Sequence, residues 1–185
     1  MRKKIIVLLL LIAGGSYIIY YNNQYSIVDE KASIEAALTE WLNRVPRETY
    51  KPIVIQFDHL AETTSHVVLY THDTGGQFVG YAQLIKGWNG KFKIHQSGEG
   101  NNIVSYNFVN TDSGRYGIII GSNPEFQIDR ISASAYEEDF TMTEDVPKKE
   151  TFIIYRRLPD KLKQPLLPYL TLLDKDDKEI TSLWK

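Results

Sequence analysis

Residues 84–94 read LIKGWNGKFKI, two short apolar stretches separated by Asn89-Gly90. An Asn-Gly pair in this position predicts a tight β-hairpin, because a type I′ turn needs positive φ at both central residues. Residues 74–76 and 112–114 place glycine beside small polar residues and predict similar turns. Strands joined by such short loops are antiparallel, since parallel neighbours need a crossover of a dozen residues or more. The sequence therefore predicts an antiparallel meander.

From Pro52 onward, short apolar runs alternate with polar residues at period two and are bounded by Gly, Asn and Asp. This pattern is typical of β-strands. The predicted strands cover residues 53–57, 66–71, 77–86, 91–96, 103–110, 116–121, 126–132, 152–157 and 169–173. A last short strand is predicted near Ile180, and the acidic, proline-containing residues 136–149 predict an exposed irregular excursion.

One amphipathic helix is predicted before the strands, starting after Asp29, whose carboxylate can cap its N-terminus. Its apolar positions recur at helical spacing and are Ile34, Ala37, Leu38, Trp41, Leu42 and Val45. The helix should end near Pro46, because the residue before a proline is pushed out of the α region. We therefore predict an α+β fold, mainly β, in which this helix packs on the meander-rich antiparallel sheet. The later strands either extend that sheet or form a second layer.

Residues 5–21 carry no charge and would span about 25 Å as an α-helix, which is short but sufficient to cross a bilayer. Arg2, Lys3 and Lys4 precede this segment and the next basic residue is Lys31, so the positive-inside rule places the N-terminus in the cytoplasm. We predict that residues 1–4 are cytoplasmic, 5–21 form a transmembrane signal anchor, 22–28 form a linker and 29–185 form an extracytoplasmic domain.

A cleaved signal peptide is the alternative to this anchor, because the small residues 13–15 follow an apolar run and resemble a cleavage site. Apolar residues resume at Tyr17, and Tyr17, Tyr20 and Tyr21 suit the outer membrane interface, which favours an uncleaved anchor. Either interpretation exports the domain. The predicted location is the cell membrane, with a single span.

The chain has 185 residues, with 21 basic and 23 acidic side chains and no cysteine. Setting aside the three basic residues before the apolar segment leaves 18 basic against 23 acidic, a net charge of about −5. Such a domain lacks the basic surface that phosphate backbones need, which argues against nucleic acid as a partner. The lack of cysteine excludes disulfides, thiolate metal sites, a cysteine nucleophile and a lipid-modified cysteine anchor.

His59, His66, His72 and Glu62 are the clustered metal-ligand residue types of the chain. His66 and His72 are six residues apart on a predicted strand and therefore face the same side of the sheet. A zinc site needs three or four such groups to converge, and this spacing fits no compact ligand motif. Ordinary polar strand positions are the favoured interpretation, and no catalytic residue or cofactor is predicted.

Trp88 lies in the predicted hairpin turn, where an aromatic side chain at a loop tip suits a contact with a partner. Glu137, Glu138 and Asp139 form an acidic run that is a second candidate contact. The leading prediction is a non-catalytic, membrane-tethered module that binds or regulates a protein or cell-envelope component, with residues 5–21 in the membrane. The alternatives are an exported hydrolase or metal-dependent enzyme using the histidine region, and a small-ligand sensor with a pocket between helix and sheet.

Residues 84–94, followed by residues 98–101, resemble a segment of uncharacterised membrane-anchored extracytoplasmic proteins of Bacillus-type Gram-positive bacteria. The stretches at residues 151–155 and 170–174 are similar in kind to strands of those proteins. The resemblance implies an exported, membrane-anchored, β-rich domain and a Gram-positive bacterial source. It implies no activity.

Overall fold

The computed structural model describes residues 2–44, 49–72, 79–100, 102–135, 140–162 and 168–184. Two α-helices come first, α1 (Arg2–Gln24) and α2 (Lys31–Leu42). The strands are β1 (Pro52–His59), β2 (Ser65–His72), β3 (Val79–Lys86), β4 (Phe92–Glu99), β5 (Val104–Thr111), β6 (Gly114–Ser122), β7 (Arg130–Ala135), β8 (Phe140–Asp145), β9 (Thr151–Arg157) and β10 (Tyr169–Leu173). Short 3₁₀ helices cover Pro124–Phe126 and Thr181–Trp184. The prediction of a mainly β, α+β fold is confirmed.

Helix α1 is the one helix within the described ranges that is long and apolar enough to cross a membrane. It contains the predicted span at residues 5–21 but continues to Gln24, and its apolar side chains from Ile5 to Tyr20 are exposed. The predicted linker at residues 22–28 thus includes the last residues of α1. Ile27 is buried and pairs with Phe92, its N–H donating over 3.1 Å and its carbonyl accepting over 2.8 Å. An apolar residue three positions past the helix joins the sheet because burying it is favourable.

Helix α2 buries Ile34 and Leu38 against one face of the first sheet, as the spacing of its apolar residues predicts. Its N-cap residue is Glu30 rather than the predicted Asp29, and the Glu30 side chain makes no capping hydrogen bond. Glu35 accepts a hydrogen bond from the backbone N–H of Val54 (2.9 Å), which holds α2 to strand β1. Helix α2 ends at Leu42 with Asn43 as its C-cap, before the predicted end near Pro46, and residues 45–48 lie outside the described residues.

The strands form three antiparallel sheets. Sheet 1 has the order β1-β2-β3-β4, which confirms the predicted meander, whereas sheet 2 has the order β5-β6-β9 and sheet 3 the order β10-β7-β8. Apolar side chains fill the space between α2 and sheet 1, between sheets 1 and 2, and between sheets 2 and 3. The fold is therefore a stack of one helix and three sheets. The later strands form two further layers, whereas the sequence predicted that they would extend the first sheet or form one second layer.

The hairpin at Asn89-Gly90 is present, but the predicted type I′ turn is wrong. Gly90 has a φ of 78°, whereas Asn89 is not among the residues with positive φ. The loop has three residues, closed by a hydrogen bond from Gly87 N–H to the carbonyl of Lys91 (2.7 Å). A three-residue loop needs the left-handed conformation at one position only, and glycine occupies it without strain. The similar turn predicted at residues 74–76 lies outside the described residues.

Sheet 3 departs most from the predicted strands. Strand β8 lies inside residues 136–149, which were predicted to be irregular, and it pairs with β7. Met142 of β8 is buried against sheet 2, so its burial outweighs the acidic composition around it. Strand β7 begins at Arg130 rather than near Phe126, because a 3₁₀ helix occupies Pro124–Phe126. Near Ile180 the chain makes a single bridge, Leu173 to Glu179, rather than a strand.

Candidate functional site

The β3–β4 turn packs on the C-terminal end of α1. The Trp88 ring stacks on the Tyr21 ring with centroids 4.8 Å apart, and the Trp88 backbone N–H donates to the Tyr21 hydroxyl (3.0 Å). Asn89 Nδ2 donates to Asn22 Oδ1 (2.9 Å) and to the carbonyl of Tyr25 (3.0 Å). We call Tyr21, Asn22, Tyr25, Trp88 and Asn89 the helix–turn cluster. It joins the apolar helix to the sheet at one point.

Gly87 allows this close approach of turn and helix. A Cβ at this position would lie 2.6 Å from Tyr25 Cδ1 and 2.7 Å from the Tyr21 hydroxyl oxygen, closer than side-chain atoms approach one another. The Tyr21 and Tyr25 rings stack with centroids 4.4 Å apart, and Lys93 Nζ lies 4.8 Å from the centroid of Tyr25. Each ring of the cluster is thus covered on one face by another ring or by a cation.

The surface around the helix–turn cluster is aromatic and basic. Trp88 remains 66% exposed despite its stacking contact, and Tyr17 and Tyr20 on α1 are 61% and 62% exposed. Lys86 and Lys91 are exposed beside Trp88, and residues 86–93 contain no acidic side chain. Trp88 is therefore placed at a loop tip as predicted, but beside the apolar helix rather than on a free end of the domain.

His59 and His66 meet across the β1–β2 pair. Their rings are 4.5 Å apart, and His66 also lies against Phe57 (5.2 Å) and Phe92 (4.8 Å). Burial, and next the charge of His59, lower the pKa of His66. His59 Nε2 donates to the carbonyl of Thr63 (2.7 Å). This is a packed imidazole pair in which burial favours the neutral form of His66.

His72 and Glu62 do not join that pair. His72 is at the other end of β2, about 20 Å along the strand from His66, and its Nε2 lies 2.8 Å from Glu99 Oε1. Glu62 is in the β1–β2 turn with a φ of 61°, and its carbonyl accepts from the Ser113 hydroxyl (2.6 Å). No group of three His, Asp or Glu side chains suited to a metal occurs in the described part of the chain. His59, His66 and Glu62 therefore lie at one end of the β1–β2 pair, and His72 lies at the other end.

A polar cluster that the sequence analysis missed surrounds His72. Tyr70 is fully buried next to it, with ring centroids 5.6 Å apart, and burial together with the Glu99 charge raises the pKa of Tyr70. Trp41 Nε1 donates to Ser97 Oγ (2.9 Å) on strand β4, which links α2 to this end of sheet 1. The signal available in the sequence was the polar run His95 to Glu99, which breaks the apolar alternation of β4.

Two cavities lie away from the predicted pocket between helix and sheet. One, of about 400 Å³, is lined by Ser105 and Tyr106 of β5, Leu170 of β10 and Thr181. Burial raises the pKa of Tyr106 to about 12, and its hydroxyl is buried without a hydrogen-bond partner among the described groups. The other, of about 480 Å³, lies between Phe126 of the first 3₁₀ helix and the turn that follows β10. The α2–sheet 1 interface is instead filled by apolar side chains.

The acidic run of Glu137, Glu138 and Asp139 lies outside the described residues. No protein-family model, curated protein or solved structure matches the chain. Among the candidate contact surfaces, the helix–turn cluster is the one whose contacts and distances the structure describes. Its partners Tyr21 and Trp88 are 67 residues apart in sequence, so no local motif could have indicated their contact.

Proposed function

We propose that the chain is a single-pass, membrane-tethered module that binds a protein or cell-envelope component outside the cytoplasm and acts without catalysis. The observation that carries the proposal is α1, an uninterrupted helix whose apolar side chains from Ile5 to Tyr20 are exposed. Apolar side chains left in water are costly, and a bilayer removes that cost. The basic residues at its N-terminal end favour a cytoplasmic N-terminus.

The short connection to the domain supports a role close to the membrane. Only Tyr25 and Ser26 separate the end of α1 from Ile27, which is already paired with β4. A domain held this close to a bilayer meets other membrane-bound proteins at a high effective concentration, so weak contacts suffice. The resemblance to exported membrane-anchored proteins of Bacillus-type bacteria agrees with this location.

Topology can be tested by single-cysteine labelling, because the chain contains no cysteine and so gives no background. Lys175, whose side chain is 81% exposed, and Lys3 before the apolar segment are changed separately to cysteine. In intact cells, a membrane-impermeant maleimide should label Lys175→Cys and leave Lys3→Cys unlabelled until the cells are lysed. Labelling of Lys3→Cys alone would reverse the proposed orientation, and release of the protein by alkaline carbonate would refute the anchor.

Partner binding can be tested by in-cell crosslinking of the tagged full-length chain, followed by mass spectrometry. We expect one membrane or envelope protein in nearly equal amount. Neutralising the three carboxylates of residues 137–139 should reduce its capture if the acidic run is the contact. The matched control neutralises three carboxylates elsewhere, with Asp160→Asn, Asp176→Asn and Glu179→Gln. Equal capture by both variants would remove the acidic run from the proposal, and capture of no enriched partner would refute protein binding.

Small-ligand sensing is a second candidate function, and the cavity of about 400 Å³ beside Tyr106 favours it. Its lining combines apolar side chains with the hydroxyls of Ser105 and Thr181, a mixture typical of ligand sites. A small molecule bound there would raise the melting temperature of the full-length protein. Screening envelope-derived small molecules by thermal shift tests this candidate, with Ser105→Ala as a variant that should lose any shift.

A further inference from the structure

We propose that the β3–β4 turn is a second membrane contact, in which Trp88 enters the interface of the extracytoplasmic leaflet and the neighbouring lysines bind anionic phospholipid headgroups. The proposal rests on the proposed function, since it requires α1 to span the membrane. It identifies a lipid surface, rather than a protein, as the partner of Trp88.

The depth of Trp88 follows from the length of α1. From Ile5 to Tyr21 the helix rises about 25 Å, whereas the hydrocarbon core of a bilayer is about 30 Å thick. With Lys4 at the cytoplasmic boundary, Tyr21 lies within about 5 Å of the outer boundary of the hydrocarbon. The Trp88 ring is 4.8 Å from that of Tyr21 and therefore lies at a similar depth.

The chemistry of the exposed side chains matches this depth. Tryptophan and tyrosine are enriched at membrane interfaces, because their rings are apolar and each carries one polar group. Trp88 covers Tyr21 with one face and leaves two thirds of its surface exposed, while Tyr17 and Tyr20 are similarly exposed on α1. One helix and one sheet hairpin thus contribute to the same aromatic belt.

The charge of the turn matches an anionic headgroup layer. The domain outside the membrane is acidic overall, yet residues 86–93 carry three lysines and no acidic side chain. Lys93 Nζ lies 4.8 Å from the ring centroid of Tyr25, which places this ammonium group near the end of α1, and Lys86 Nζ lies 5.7 Å from the ring centroid of Phe92. Basic side chains next to a membrane span are attracted to anionic lipid within about a Debye length.

The contact can be tested by tryptophan fluorescence of the full-length protein in vesicles of phosphatidylcholine and phosphatidylglycerol. Lipids brominated at the headgroup end of their acyl chains quench tryptophans that reach the interface. The chain has three tryptophans, so Trp88→Phe is compared with Trp41→Phe, which removes a tryptophan that is hydrogen-bonded to Ser97 inside the domain. We expect the quenching to persist in Trp41→Phe and to be largely lost in Trp88→Phe.

The role of the lysines is tested by changing Lys86, Lys91 and Lys93 together to glutamine. In the presence of phosphatidylglycerol, quenching of Trp88 should fall to the level seen in phosphatidylcholine alone. The control changes three exposed lysines elsewhere, Lys149, Lys161 and Lys178, to glutamine and should behave like the unmodified chain. Quenching that does not depend on phosphatidylglycerol in the unmodified chain would refute the headgroup contact.

The outcomes separate this inference from the proposed function. If alkaline carbonate releases the protein from the vesicles, α1 is not a span and both proposals fall. If the protein is retained but quenching is unchanged in Trp88→Phe, the lipid contact of the turn is refuted while the anchor stands. Retention with selective loss of quenching in Trp88→Phe supports both.

Discussion

Replacement of Asn123 by alanine should destabilise the domain strongly. Asn123 is fully buried at the end of β6 and bridges both backbone groups of Ile128. Its Nδ2 donates to the carbonyl of Ile128 (2.8 Å), and its Oδ1 accepts from the N–H of Ile128 (2.9 Å). The side chain thereby closes the loop that carries Glu125 and Phe126, which both have positive φ.

The magnitude follows from the burial of the groups that lose their partners. Ile128 is 0% exposed, so Asn123→Ala leaves one donor and one acceptor unsatisfied away from water. Each such group costs about 1–3 kcal/mol, which predicts a loss of about 2–6 kcal/mol. That loss is a large part of the roughly 5–15 kcal/mol by which domains are stable.

Asn43 supplies a matched control, because it makes the same pair of hydrogen bonds to the backbone of Tyr50 (2.8 and 2.7 Å) at a half-exposed site. Water can replace the lost side chain there, so Asn43→Ala should cost about 1 kcal/mol. The assay is urea unfolding of the full-length protein in lipid nanodiscs, followed by near-ultraviolet circular dichroism. A loss for Asn123→Ala no greater than that for Asn43→Ala would refute the reasoning.

Three further predictions concern packing and pH. Leu38→Ala should cost about 2–5 kcal/mol, because Leu38 is 0% exposed between α2 and sheet 1, whereas Ile53→Ala on the exposed edge should change the urea midpoint little. Because the pKa of His66 is lowered from 6.5 in the folded state, the unfolded chain binds more protons below that pH, so stability should fall on acidification. His66→Phe should flatten this dependence as the pH falls through 6.5, and an unchanged slope would contradict the assignment. Gly121→Ala should lower the melting temperature, because its Cβ would lie 2.8 Å from the carbonyl oxygen of Ile103; an unaltered value would show that β6 can shift.

Sheet 1 could be predicted from sequence because its signals are local. Strand alternation and the glycine at position 90 specify the β3–β4 hairpin without reference to distant residues. Sheet 3 could not be predicted in the same way, since Met142 has acidic neighbours and its burial depends on contact with sheet 2. Composition therefore indicated a loop where tertiary packing produces a strand.

The candidate sites, like the sheets, could be predicted only where the signal was local. The alternation of side chains along a strand predicted that His66 and His72 face the same side of β2. The distance between them along the strand is too long for them to share a site. The contact between Trp88 and Tyr21 joins segments 67 residues apart and depends on how the β3–β4 hairpin meets α1. Local spacing placed Trp88 in a turn, whereas only the fold placed it beside the apolar helix.

The strand order of sheet 2 bears on how the chain folds as it is synthesised. Its middle strand β6 contains Ile118, Ile119 and Ile120, which the finished fold buries on both faces. Its partner β5 precedes it, but its other partner β9 emerges only after the β7–β8 hairpin has been made. During that interval β6 presents an unpaired edge with a contiguous β-branched run, the kind of segment that seeds aggregation. The synthesis of residues 123–150 is thus the vulnerable stage of biogenesis, at which a chaperone would protect this protein most.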